Sequence, residues 1–162
     1  MPTRKPFALP ALDPSAVKPR TGNSYPEPFG RAAAAREKRV LGDAAGLKNF
    51  GVNLVRLPPG TTSSQRHWHT HEDEFVYIVE GEVELVTDSG GQTLTAGMCA
   101  GFPAGGRDGH HLVNRSARDA VYLEVGDRKE EDQCSYSDVD LHYGPSARDG
   151  KFGFTRKNGE PY

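Results

Sequence analysis

Residues 67–75 read His67-Trp68-His69-Thr70-His71-Glu72-Asp73-Glu74-Phe75, and three of the chain's six histidines fall in this nonapeptide. On an extended strand His67 and His69 point to the same side, with Cα atoms roughly 6.5–7 Å apart. That separation lets two imidazoles reach one ion. Glu74 has the opposite parity, so it can join them only if the chain turns and starts a new strand. The polar tetrapeptide Thr70-His71-Glu72-Asp73 suits such a turn. His67, His69 and Glu74 are then the candidate ligands, and His71 is left in the connection. Trp68, between two ligands, must face away from them, which suits packing or an interface.

Working outward, residues 49–126 consist of short runs rich in Val, Leu, Tyr and Phe, separated by turn signals. The runs are GVNLVRL, EFVYIVE, EVELVT, QTLTA, MCAGF, HHLVN and AVYLEV; the breaks include LPPG, DSGG, PAGGRDG and NRSARD. Strands at this spacing predict an antiparallel sandwich or barrel. In residues 74–79, Glu74, Val76 and Ile78 share one face and Phe75, Tyr77 and Val79 the other. Both faces are largely apolar, so the outside needs a cover. We expect a homodimer, with the N-terminal arm contributing.

Residues 1–48 are expected to form an arm. Its first 30 residues are proline-rich, and the run RAAAAREK suits a short helix or a strand entry equally. The cluster Arg36-Glu37-Lys38-Arg39 reads as solvated surface. Residues 127–162 form a polar C-terminal extension that packs on the barrel, with an Asn-Gly turn signal before Tyr162.

Bulk properties exclude more than they choose. A net charge of −2 with mixed signs gives no reason to expect nucleic acid or an anionic membrane as a partner. No apolar run suits a secretory signal or a membrane span, so a cytoplasmic location is expected. The two cysteines, Cys99 and Cys134, are expected to be reduced, with Cys99 a small buried hydrophobe. No G-x-S-x-G elbow and no phosphate-binding loop is present.

A second histidine pair lies in Gly109-His110-His111-Leu112-Val113-Asn114. His110 and His111 must face opposite ways on a strand, and pattern alone does not choose between them.

Two segments together resemble the paired motifs of the cupin superfamily. Gly60, His67, His69, Glu74 and Gly81 match the first, with one extra residue before His67. Gly97, Pro103, Gly105, His110 and Asn114 match the second, with two extra residues before the histidine. Choosing His110 keeps the motif's three-residue gap to Asn114; choosing His111 breaks it. Met98 stands where that motif often has Asp. The resemblance implies an all-β double-stranded β-helix with irregular N- and C-terminal extensions. It also implies that His67, His69, Glu74 and His110 hold one divalent transition metal (Fe, Mn, Ni, Co or Zn). Asn114 becomes a turn residue, and His71 and His111 are alternates or pocket residues.

Such a site leaves positions for water, dioxygen or a chelating substrate. The expected function is a metal-dependent, dioxygenase-like enzyme acting on a small oxygenated molecule. A sensing module without catalysis and a sugar isomerase or epimerase are the alternatives. Gln65, Arg56 and Tyr122 are candidate pocket residues, and Glu124 or Tyr122 would move the proton in an isomerase.

Overall fold

The computed structural model describes residues 8–162; the first seven residues of the expected arm lie outside them. Thirteen strands follow in order: β1 Arg20–Thr21, β2 Glu37–Val40, β3 Phe50–Leu57, β4 His67–His69, β5 Glu74–Glu80, β6 Glu82–Thr87 and β7 Gly90–Thr95. After these come β8 Cys99–Phe102, β9 His111–Val113, β10 Ala120–Asp127, β11 Cys134–Tyr136, β12 His142–Pro145 and β13 Phe152–Thr155. Each apolar run of residues 49–126 has become a strand, and all pairings are antiparallel.

One sheet runs β1-β2-β3-β10-β5-β8, and two smaller ones run β7-β6-β9 and β13-β12-β11-β4. The inward side chains of β3, β5 and β10 (Val55, Leu57, Val76, Ile78, Ala120, Tyr122) meet Val83, Leu85, Leu94 and Leu112 from the β7-β6-β9 sheet. This is the closed barrel of a double-stranded β-helix. Burial of each large side chain contributes about 1.5–3 kcal/mol, so alternation along the strands fixes the register.

Tight turns close the barrel. At Gly81, between β5 and β6, φ is +76°, and a Cβ would lie 2.6 Å from the Asp119 carbonyl oxygen. Only glycine meets both constraints. Asn114 serves the neighbouring loop as its turn chemistry suggests: its side-chain amide donates to Leu57 O and Arg118 O, both at 2.7 Å.

The flanking segments are built into the structure. RAAAAREK gives a 3-10 turn over Arg31–Ala33 and then enters β2, so helix and strand entry are both realised. β2 pairs with β3 and extends the large sheet. The C-terminal extension contributes β11, which pairs with the histidine strand β4 in the register Cys134↔His69, Ser135↔Trp68, Tyr136↔His67. A second apolar cluster (Cys134, Tyr136, Leu141) packs against Tyr25 and Phe29 of the N-terminal segment.

Two readings need correction. Cys99 is exposed, because the parity of β8 turns Ala100 and Phe102 inward; Cys134 is the buried thiol. The described part of the arm leaves the outer face of β5 open: Phe75, Tyr77 and Val79 are 41%, 41% and 47% exposed.

Candidate metal centre and inner cavity

The parity argument around residues 67–74 has a direct structural counterpart. β4 ends at His69, the chain bends through residues 70–73, and β5 begins at Glu74. The bend reverses the parity of Glu74 and brings its carboxylate back to the histidines. Glu74 Oε2 lies 3.5 Å from His67 Nε2, 3.5 Å from His69 Nε2 and 3.0 Å from His110 Nε2. His67, Glu74 and His110 form one set of mutually close donors, and His67 and His69 form another with Cys134. His71 is exposed, beside the Thr70 hydroxyl.

The histidines are oriented from behind. His67 Nδ1 donates to Gln65 O at 2.9 Å, and His69 Nδ1 donates to Asp132 Oδ2 at 2.6 Å. With Nδ1 as the donor, each ring in its neutral form keeps its Nε2 lone pair for an ion, and in its protonated form points Nε2–H at Glu74. Asp132 also accepts from the backbone of His71 and Glu72 through Oδ1, so one carboxylate holds both the bend and the imidazole. His110 is buried, stacked on Phe102 with ring centroids 3.5 Å apart, and its Nδ1 has no partner.

Electrostatics follow from this crowding. Burial alone would raise Glu74, but the imidazoles of His110 and His67 overcome it and hold the carboxyl well below the usual range. Burial alone would lower His67, and Glu74 more than offsets it, so this imidazole is held above its ordinary value. Burial dominates at His110 and pushes it down. An ionised carboxylate amid three imidazoles, two of them held from behind, is a donor set that fits a divalent transition ion.

Behind the ligands lies a cavity of about 150 Å³, lined by His67, Glu74 and His110 on one side. The rest of its wall includes Arg36, Lys38, Ser63, Tyr122 and Glu124. Thus Arg36 and Lys38 do not belong to a solvated patch. They sit two apart where β2 begins, so they share the inward face, while Glu37 and Arg39 face out. That alternation was legible in the sequence. Arg56 has the outward parity and pairs with Glu37 and Asp119, so it does not line the pocket. Gln65 instead ties down the N-terminal segment by donating to Phe29 O at 2.7 Å.

Tyr122 and Glu124 both face inward from β10. The Glu124 carboxylate accepts from Lys38 Nζ at 2.7 Å and from Asn53 Nδ2 at 3.0 Å. Burial works to raise it, but the Lys38 ammonium prevails and keeps it below the usual carboxylate range. His111 also lines the cavity. Its Nδ1 donates to Ser64 O at 3.1 Å, and burial lowers its affinity for a proton. A second cavity of about 170 Å³ lies on the other side of Glu74 and His110, walled by Trp68, Phe102 and Pro103. Trp68 therefore borders a cavity, with the Arg107 guanidinium 5.9 Å from its ring centroid.

Sequence reasoning missed Asp132 and Cys134 as neighbours of the histidines. Both arrive on the C-terminal extension, and no motif in that polar stretch marks them.

A family model described as "Cupin domain" matches residues 53–126. The chain is 46% identical to a solved structure from Silicibacter pomeroyi, described as a sugar phosphate isomerase from a cupin superfamily. That match covers 94% of this chain and 96% of that one, with a TM-score of 0.88. A protein from Acidithiobacillus ferrooxidans, provisionally described as a sugar phosphate isomerase, is 27% identical over 80% of this chain and 81% of its own, with a TM-score of 0.69. A polyketide cyclase from Streptomyces resistomycificus shares the fold at 22% identity, over 75% of this chain and 81% of its own, with a TM-score of 0.59. No curated protein matches the chain.

Proposed function

Because this chain belongs to the cupin superfamily, we propose that it is a metal-dependent isomerase, moving a proton between carbons of a small sugar-like hydroxy-carbonyl compound. One observation carries the reading: a carboxylate, Glu124, and an imidazole, His111, line the same cavity as His67, Glu74 and His110. The two relatives described as sugar phosphate isomerases support it. The dioxygenase-like alternative has no comparable support from the residues of this cavity.

His67, His69, Glu74 and His110 would hold the ion. When bound there, a divalent metal polarises a carbonyl and lowers the pKa of a neighbouring hydroxyl or water. The remaining work falls to the chain's own groups. Glu124 and His111 are the bases able to take a proton from the carbon beside the carbonyl and return it to the neighbouring carbon. Lys38 fixes the Glu124 carboxylate in place. The Ser64 carbonyl, by holding the Nδ1 hydrogen of His111, leaves the other ring nitrogen free to accept. The apolar wall formed by Val76, Phe102 and Leu112 lowers the local dielectric, which strengthens these interactions.

The test is proton exchange. The protein, loaded in turn with Mn, Fe, Co, Ni and Zn, is incubated in D2O with a panel of aldoses, ketoses and their phosphates. Interconversion with deuterium at the carbon next to the carbonyl is expected, and Glu124→Gln or His111→Gln should lower kcat by about 10²–10⁴-fold. Oxygen uptake without exchange would favour dioxygenase chemistry instead. Absence of both across the panel would leave a binding module.

A further inference from the structure

Among the described residues, two buried polar atoms of residues lining the inner cavity, besides His110 Nδ1, make no well-formed hydrogen bond. One is the hydroxyl of Tyr122, a residue 1% exposed that has only the Ser63 side chain beside it; the other is Arg36 Nε. They come from different elements, β10 and the entry to β2, and both residues line the same space. A buried polar group without a partner costs about 1–3 kcal/mol, so two in one cavity point to a missing partner. Arg36 adds a charge argument. Lys38 is neutralised by Glu124 at 2.7 Å, whereas among the described residues no carboxylate lies within ion-pair distance of Arg36. Its guanidinium is otherwise engaged through Nη1, which donates to Ser63 O. Glu124, which already pairs with Lys38, is the carboxylate that feels the Arg36 charge, and it does so from beyond ion-pair distance, so this end of the cavity carries a net positive charge. Ser63 and Ser64 place two buried hydroxyls on the same wall.

Resting on the isomerase reading, we propose that the end of the cavity bounded by Arg36, Tyr122 and the Ser63-Ser64 pair seats the phosphate of a phosphorylated sugar. Arg36 Nε and the Tyr122 hydroxyl donate to its oxygens, and the guanidinium balances its charge. An arginine fork suits a tetrahedral oxyanion. The carbonyl end of the same molecule then faces His67, Glu74 and His110, with Glu124 between. Tyr122 is a binding group in this scheme, and the proton-carrying role stays with Glu124 and His111.

The full-length protein is titrated with inorganic phosphate by calorimetry, as purified and again after chelation of metal. Saturable binding should survive chelation and weaken about tenfold or more in Arg36→Gln. Tyr122→Phe, which removes one oxygen and keeps the ring, should weaken it by a smaller factor. Arg36→Lys, which keeps the charge but not the fork, should fall between wild type and Arg36→Gln, and serves if Arg36→Gln misfolds by circular dichroism. Equal affinity in wild type and Arg36→Gln would overturn the assignment. So would binding abolished by chelation, since the phosphate would then sit on the metal. Acetate competing as tightly as phosphate would assign the seat to a carboxylate and overturn it too. The two readings fail separately. Phosphate bound through Arg36 with no sugar isomerised removes the isomerase and leaves the seat. Isomerisation unaffected by Arg36→Gln removes the seat and leaves the isomerase.

Discussion

Asp132 Oδ2 accepts a hydrogen bond from His69 Nδ1 at 2.6 Å, across 63 positions of sequence. The carboxylate fixes the tautomer and ring plane of one candidate ligand, and its second oxygen holds the bend that returns Glu74 to the same point. Outer partners of this kind typically set metal affinity by about 10–100-fold.

Asp132→Asn is therefore expected to weaken metal binding by about 10–100-fold with the fold retained, because an amide oxygen can still accept from the His71 and Glu72 backbone. Competition against a chromogenic chelator measures the affinity, and circular dichroism checks the fold. Unchanged affinity would mean that His69 needs no support from behind.

Glu74→Gln and His69→Ala should each lower metal content strongly, while His71→Ala should leave it unchanged. The basis is placement: Glu74 touches three imidazoles, and His71 lies exposed in the bend. Elemental analysis of the purified variants decides. An ion stripped by His71→Ala but kept by His67→Ala would reverse the ligand assignment.

Glu124 gives the pH dependence a definite sign. Its carboxyl sits below the ordinary range when folded, so its pairing with Lys38 stabilises the folded state at pH values above the unfolded glutamate pKa. That stability fades as pH falls through the depressed folded value. The gap in Tm between wild type and Glu124→Gln should be full at neutral pH and close as pH drops below the ordinary carboxylate range. A gap that widens on acidification would contradict the pairing.

The outer face of the large sheet carries Phe75, Tyr77 and Val79 on β5 beside Val121, Leu123 and Val125 on β10. A second copy of the chain is the expected cover. Sedimentation should give twice the chain mass at micromolar concentration, and Val79→Glu with Tyr77→Glu should give a monomer. A wild type that sediments as a monomer at high concentration would refute this.

Much of this was legible in the residues. Period-two alternation and turn chemistry marked the barrel strands, and the parity break between His69 and Glu74 located the bend. The resemblance to the second cupin motif, through its gap to Asn114, chose His110 over His111, which parity alone could not do. The inner cavity was harder. Arg36 and Lys38 carry an alternation signal, but charge clusters usually face solvent, and only the pairing of β2 with β3 turns them inward. Asp132 and Cys134 left no local trace, because their proximity to His69 arises from a pairing between segments that share no pattern. Cys99 misled because an apolar run does not specify which of its positions face in.

Among the described residues, the only strand laddered to β4 is β11, which lies beyond residue 126, where the match to the family model ends. A fragment trimmed to the barrel would keep all four histidine and glutamate donors yet lose the scaffold that aims two of them. The smallest autonomous unit of this protein is thus expected to be larger than its recognisable module, and grafts or truncations should carry the tail through at least Tyr136.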